Sequence, residues 1–439
     1  MRPGVDVISR ALPPPRTPPT DTGVAFVIGS TPTGHTPAPP NVGLVHSMTE
    51  FEATFGTRGT AAGDQATYDA ADTYFREGGN KLYVSRTNPG TLVTSTSELP
   101  SKSAMDAMNR AELDVIAERV GLDPAAYGTK AELLDAINEA AAAPLTVDPT
   151  IQAALDALTA DLGPGQVFIA DRTLAAVVDN QSAVLAHAQK TNRVGLLTCA
   201  DGDQVALSAA GKALQTDANG RYGALFAPTA VVPGMVAGTT RTVPYSAVVA
   251  GIIARNDNSF TANTPAAGVL GQAVYAIDLN GRYSDADYAQ LNLDGVNMAR
   301  LIYGGVRTYG WRACVDPVAT PAWLNFGNGR LNMEIASLAG AIGENYVFTM
   351  IDGAGRTLSQ FGGELSAMLA TFYLAGALFG ATPEEAFYVD VGSSVNTPTT
   401  IANGELHAVL GVRMSPFAEW VVIEIVKVAV NQALPAVAA

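Results

Sequence analysis

The chain is poor in charge. Asp, Glu, Lys and Arg make up 15% of its 439 residues, against about a quarter in ordinary soluble domains. Surface so sparsely charged is either hidden against partners or traded for a large buried α/β core, and composition does not separate the two. Cysteine is nearly absent. Cys199 and Cys314 lie far apart, which excludes a CxxC pair, a zinc spacing and a secreted disulfide framework. They read as buried thiols acting as small hydrophobes, in a chain that folds in a reducing cytoplasm. Histidine is also scarce: His35, His46, His187 and His407 show no HExxH or other ligand spacing. There is no GxSxG elbow, although a Ser-His-Asp triad built from distant residues would leave no such mark. Gly29-Ser30-Thr31-Pro32-Thr33-Gly34 follows a strand but lacks the Gly-Lys-Ser/Thr of a phosphate loop. The residues therefore assign no catalytic site, no cofactor and no metal.

Positive charge is short as well. The net charge is −15 and the pI about 4.7, which argues against a nucleic-acid partner or an anionic membrane surface. Met1-Arg2-Pro3-Gly4 leads into no apolar signal core. The longest weakly polar run, Leu365 to Gly380, is too short to span a bilayer and reads as a buried helix.

What is present is an alternation of strand and helix. Val24 to Gly29, an amphipathic helix over Asp64 to Arg76, and Lys81 to Arg86 form a β–α–β unit, with a short helix over Thr49 to Phe55 inside it. Strands follow at Gln166 to Ala170, Arg193 to Thr198 and Tyr222 to Phe226, separated by helices over Ser182 to Lys190 and Val205 to Leu214. That order implies a parallel sheet covered by helices. Val243 to Arg255 carries an apolar helix. Later come helices over Leu331 to Ile342 and Leu365 to Phe379, then strands over Phe387 to Val391 and Glu405 to Val412. Asp285 and Asp287 read as helix-start acids.

Three stretches stand apart. Val5 to Ile8 has strand character and sits behind Leu12 to Pro19, a proline-rich spacer that cannot be helix or central strand. Trp420 to Val428 is a β-branched strand near the C-terminus. Ser101 to Ala143 turns rich in Ala, Glu and Leu, and Asn109-Arg110-Ala111-Glu112 and Thr129-Lys130-Ala131-Glu132 each match a capping box. This stretch reads as two inserted helices, similar in shape to SAP and Rho N-terminal modules. Four bases against eight acids make it repel a phosphate backbone.

Several segments together resemble the contractile phage tail sheath family. They are Pro3-Gly4-Val5-Asp6-Val7; Ala25 to Gly29 with Phe51 and Phe55-Gly56; Tyr74 to Val84; Val243-Pro244 with Ala250 to Asp257; Leu293 to Asn297 through Gly304 to Arg312; Gly376 to Phe387; and Gly404 to Leu406 with Pro416 to Trp420. Each is weak alone; their order and spacing carry the resemblance over nearly the whole chain outside 101–143. Tyr245 and Trp311-Arg312-Ala313-Cys314 depart from the family pattern.

The resemblance implies an α/β and α+β multidomain fold: an α/β core of subtilisin-like topology without catalytic residues, a C-terminal α+β domain and extended arm strands, to which the composition adds the two-helix insertion. The corresponding division is an arm and linker at 1–20, the first part of the core at 21–100, the insertion at 101–145, a central α/β domain at 146–295, a C-terminal domain at 296–418 and a second arm at 419–439. The resemblance also implies a structural protein that is not an enzyme and uses no cofactor. It would polymerise with itself as a helical homo-oligomer of stacked rings of six subunits. It would contact a tail tube, baseplate and terminator proteins, with no nucleic acid and no direct membrane insertion. It would assemble in the host bacterial cytoplasm and end in the tail of a virion. The arm residues would be Val5, Val7, Ile8, Trp420, Val421, Ile423 and Ile425. The sheet edge that receives a neighbour's arm would include Phe387, Val389, Leu406, Leu410 and Val412.

The abrupt change of composition and the independent capping signals make the insertion peripheral. Replacing 101–143 by a short Gly/Ser linker is expected to leave soluble, folded protein that still assembles. Loss of soluble protein, read by size-exclusion chromatography, would show that the insertion is part of a core.

Overall fold

The computed structural model describes residues 21–32, 35, 40–88, 108–110, 112–114, 127–134 and 148–419. Its centre is one eight-stranded mixed sheet. The strands, in chain order, are β1 (Ala25–Gly29), β2 (Val42–Val45), β3 (Leu82–Arg86), β4 (Gln166–Ile169), β5 (Val194–Thr198), β6 (Gly223–Ala227), β10 (Val296–Ile302) and β11 (Gly305–Thr308). They lie in the order β11-β10-β6-β5-β4-β1-β3-β2. The six inner strands run parallel, and β2 and β11 are antiparallel edges. Every residue of β1, β4, β5 and β6 is buried. A parallel sheet covered on both faces demands this, and it is why these strands read as unbroken apolar runs.

Helices cover each face. One side carries α1 (Met48–Phe55), α2 (Ala62–Glu77) and α6 (Tyr245–Asp257), packed with Phe226 and Trp311. The other carries α3 (Pro149–Asp156), α4 (Val178–Thr191), α5 (Gln204–Gln215) and α7 (Asp285–Leu293), packed on Phe26, Ile28 and Leu225. Helix α6 is buried almost all round, so its sequence shows no polar stripe. A three-stranded sheet of β7 (Ala230–Pro233), β8 (Thr240–Val243) and β9 (Asp278–Leu279) flanks the core in the order β8-β7-β9.

The predicted strands of the core lie within about two residues of the observed ones. One boundary needs correction. Residues 296–308, read as opening a C-terminal domain, complete the large sheet, because β10 pairs in parallel with β6. Beyond them α8 (Phe326–Glu344) and α9 (Arg356–Leu374) form a helical hairpin with its own apolar cluster. The two-stranded sheet of β12 (Phe387–Asp390) and β13 (Val409–Val412) packs on it. The strand expected over 405–412 is therefore half as long as anticipated. Of the inserted segment, both capping boxes form. The Asn109 and Glu112 side chains bond each other's backbone N–H at 3.0 and 2.8 Å, and Thr129 and Glu132 do so at 3.2 and 2.9 Å. Leu113 and Leu133 are buried.

Buried charge ties the core layers together. Glu77 is fully buried at the end of α2 and accepts the backbone N–H groups of Val274, Tyr275 and Ala276 at 2.8–2.9 Å. Arg241 on β8 pairs with Asp69 and Asp72 on α2. Arg193 is buried against the face of Phe26 and donates to the carbonyls of Leu158, Thr159 and Gly163.

Both cysteines are buried and free, and burial pushes their thiols up. His187 Nε2 lies 3.1 Å from Arg193 Nη1. Desolvation, and then the Arg193 charge, pushes its pKa down to about 4. In the unfolded chain a histidine titrates near about 6.5. Between those values the unfolded state binds more protons, so stability is expected to fall as pH drops from about 6.5 toward 4. His187→Gln keeps an acceptor for Arg193 and removes the titration. Urea unfolding of both proteins at pH 7 and at pH 4.5 should show a smaller loss in the variant; equal losses would place the titration elsewhere.

Candidate functional site

The small sheet is built by simple chemistry. Thr382-Pro383-Glu384-Glu385 starts a single helical turn, with Pro at its first position, where the missing N–H costs nothing. The chain then extends through four residues and turns back. On one face Phe387 sits opposite Val412 and Val389 opposite Leu410. All four, with Leu406, pack half-buried on the α8–α9 cluster. On the outer face Tyr388 lies over Gly411. A Cβ at Gly411 would come within 2.0 Å of the Tyr388 ring, so only glycine allows that packing.

The hydrogen bonds decide which edge is open. Arg413 N–H donates to the Ala386 carbonyl at 2.8 Å. In antiparallel pairing, bonded and non-bonded pairs alternate. The backbone groups of Val409, Gly411 and Arg413 therefore point at β12, and those of Leu410 and Val412 point away from it. Two further contacts extend the inward pattern. Phe379 N–H donates to the Arg413 carbonyl at 2.7 Å and Ser415 N–H to that of Ala377 at 2.9 Å. At the other end the Asn396 side chain stands in for a strand: His407 N–H donates to its Oδ1 and its Nδ2 donates to the His407 carbonyl, both at 2.8 Å. The same Nδ2 reaches the Val391 carbonyl at 2.9 Å. On β12 the outward N–H of Phe387 is already used by the Pro383 carbonyl. Among the described residues β13 pairs with no strand other than β12. The outward backbone groups of Leu410 and Val412 thus have no strand against them among the described residues.

Of the site residues expected from sequence, Phe387, Val389, Leu410 and Val412 come together on two adjacent strands, with Leu406 beside them. Leu406 is not on a strand; beside it the His407 backbone is held by Asn396, and Glu405 N–H donates to the Thr400 carbonyl. Val5, Val7, Ile8, Trp420, Val421, Ile423 and Ile425 lie outside the described residues. Asn396, Tyr388 and Gly411 were missed, and a polar loop residue that imitates a strand leaves no periodic signal.

The remaining candidates for chemistry are dispersed. His46 pairs with Glu50, and His407 with Glu405. His35 Nε2 contacts the Ala53 carbonyl. Asp287 forms a capping box with Ser284, and Asp285 pairs with Arg300. Among the described residues no three His, Cys, Asp or Glu side chains are grouped to hold a metal ion, and no helix is long and apolar enough to cross a membrane.

Solved structures with this architecture are known. The chain has the fold of contractile sheath proteins. A chain in the baseplate of the anti-feeding prophage matches it with a TM-score of 0.64 at 18% identity, over 97% of this chain and 99% of that one. A chain of the contracted sheath complex of PVC, an extracellular contractile injection system, matches with a TM-score of 0.62 at 15% identity, over 97% of each. The sheath tail protein of Desulfitobacterium hafniense matches with a TM-score of 0.50 at 11% identity, over 88% and 93%. No family model matches the sequence, and no curated protein does.

If β13 presents a free edge, its amides divide by position. In the isolated chain the N–H groups of Leu410 and Val412 should exchange with solvent about a hundredfold faster than those of Gly411 and Arg413. Residue-resolved hydrogen exchange reads this, and uniform protection along 409–413 would mean that the edge is already occupied.

Proposed function

We propose that the chain is the structural subunit of a contractile sheath, which polymerises helically around a tail tube and contracts to drive the tube through a target cell envelope. The observation that carries this is the end-to-end likeness to sheath chains, over 97% of this chain and 99% of the anti-feeding prophage chain. The higher TM-scores of the anti-feeding prophage and PVC chains favour an extracellular injection system of that kind. A phage tail or an R-type bacteriocin would use the same physics. The alternative of an α/β enzyme draws on no constellation among the described residues.

Helical growth needs a heterologous contact that never closes on itself. An arm strand added to a free sheet edge supplies one. Main-chain bonds give the affinity and alternate side chains give the fit. In this reading residues 2–10 and 420–430 of neighbouring subunits extend the β12–β13 sheet, joining along Leu410 and Val412. The proline-rich spacer keeps the first strand from folding back. Contraction is then rigid-body motion of the globular parts while the arms stay paired and their leads bend. The work comes from a metastable extended state and a contracted state that buries more surface, so no nucleotide is required. Partners are further copies in stacked rings of six, the tube, the baseplate and the terminator. Residues 101–145 decorate the outside.

Burying Val5, Val7 and Ile8 contributes about 1.5–3 kcal/mol for each fully buried side chain, less the ordering entropy. A tube repeats that contact at every subunit. Deleting 1–20 is therefore expected to give a folded monomer of nearly unchanged thermal stability that forms no tubes in negative-stain electron microscopy. Deleting 420–439 should act alike. Tubes of normal length from the 1–20 deletion would show that the arm is decoration.

A further inference from the structure

Among the described residues only three that are not glycine adopt positive φ: Asn192, Tyr303 and Phe348. Asn192 ends α4 as its left-handed cap, a position asparagine tolerates. The other two are aromatic, sit at hairpin tips, and are fully exposed, at 99% and 104%. The left-handed region is unfavourable for an aromatic residue, and an exposed ring gains nothing from its own chain in return. Such strain is retained where the residue has another use.

Phe348 is the stronger case. It lies in the connection between α8 and α9, and Val347 and Met350 beside it are 54% and 88% exposed. The run Asn345 to Ile351 carries no charge. Its place in the fold is telling. A Cβ on Gly362 would meet Val391 Cγ2 at 2.8 Å, so the exit of β12 lies over the second turn of α9, about 9 Å from the start of that helix. Val409, which opens β13, pairs with Asp390 just before that exit. The connection that carries the tip therefore enters α9 at the end of that helix nearest the start of β13.

We propose that the tip of Val347, Phe348 and Met350 is a docking knob for a second copy of this chain, the copy whose strand occupies the β13 edge. This rests on the reading of that edge as a strand acceptor. Continuity with the edge is the first reason for choosing a second copy. Charge is the other: copies that each carry −15 repel one another, and an uncharged surface such as this adds nothing to that repulsion. An apolar patch meeting a different surface of the next copy is a heterologous contact, as a helical assembly requires.

Phe348→Gly separates a knob from a structural residue, because glycine adopts the left-handed conformation freely. In the full chain the variant is expected to melt about 2 °C higher as a monomer, yet to need about tenfold more protein before tubes form. Phe348→Asn, which also tolerates the conformation, should raise the threshold alike. Leu410→Pro, assayed in parallel, removes an outward N–H of the edge. Tip variants that assemble at the unaltered threshold would overturn the knob while leaving the edge reading intact. So would tip variants whose only defect is weaker attachment of a purified inner-tube protein. A lower melting temperature for Phe348→Gly would make the ring an internal contact, and the knob would fall. Normal assembly of Leu410→Pro would overturn the edge reading itself, whatever the tip variants do.

Discussion

Every buried or paired backbone group in a sheet must find a partner, and the ends of a sheet are where that requirement is hardest to meet. The largest and the smallest of the three sheets meet it in opposite ways. The large sheet ends on one side at β11, whose outer edge is covered by residues 268–273: Gly268 and Ala273 donate to the Thr308 and Val306 carbonyls, and Thr308 donates to Gly271. On the other side it ends in β2, only four residues long. The small sheet is covered on its inner side by 377–379 and by the Asn396 side chain. Its outer edge has no strand against it among the described residues. One edge is closed by the chain itself and the other is not closed by any described strand; in the proposed sheath it receives a partner.

Rigidity of the core makes such an edge useful. Glu77 fixes the 274–276 segment to α2 through three backbone hydrogen bonds, and Arg241 holds β8 to the same helix through Asp69 and Asp72. Breaking a buried pair by removing one partner leaves an uncompensated charge, so these links resist distortion. Parts joined in this way move as bodies. In the proposed sheath, the strain of contraction then falls on the leads to the arms and on contacts between subunits.

Much of the core was legible in the sequence because a parallel sheet buried on both faces leaves continuous apolar runs. Val194 to Thr198 and Gly223 to Ala227 are of that kind. The helix starts at Asn109 and Thr129 were legible because a capping box is a local device whose partners lie three residues apart, and the start near Asp285 was legible from its first-turn acids. The short antiparallel strands β2, β7, β8 and β9 were not, since two to four residues cannot establish a period. Nor was the membership of 296–302 in the large sheet, which depends on a pairing with residues about 70 positions earlier.

The candidate edge divides in the same way. The sequence by itself determined which segments could be strands, from β-branched and aromatic residues around 387–391 and 405–412, and that no familiar catalytic spacing is present. It also determined which side chains would be apolar enough to sit on a core. Tertiary structure alone decided that Leu410 and Val412 turn their backbone groups outward while Gly411 and Arg413 turn theirs inward. It also decided that Asn396 replaces a strand at His407, and that Phe348 stands exposed in the connection between α8 and α9. The direction of a backbone group is set by the register of pairing, and register belongs to two segments at once. A reading of one segment at a time cannot contain it.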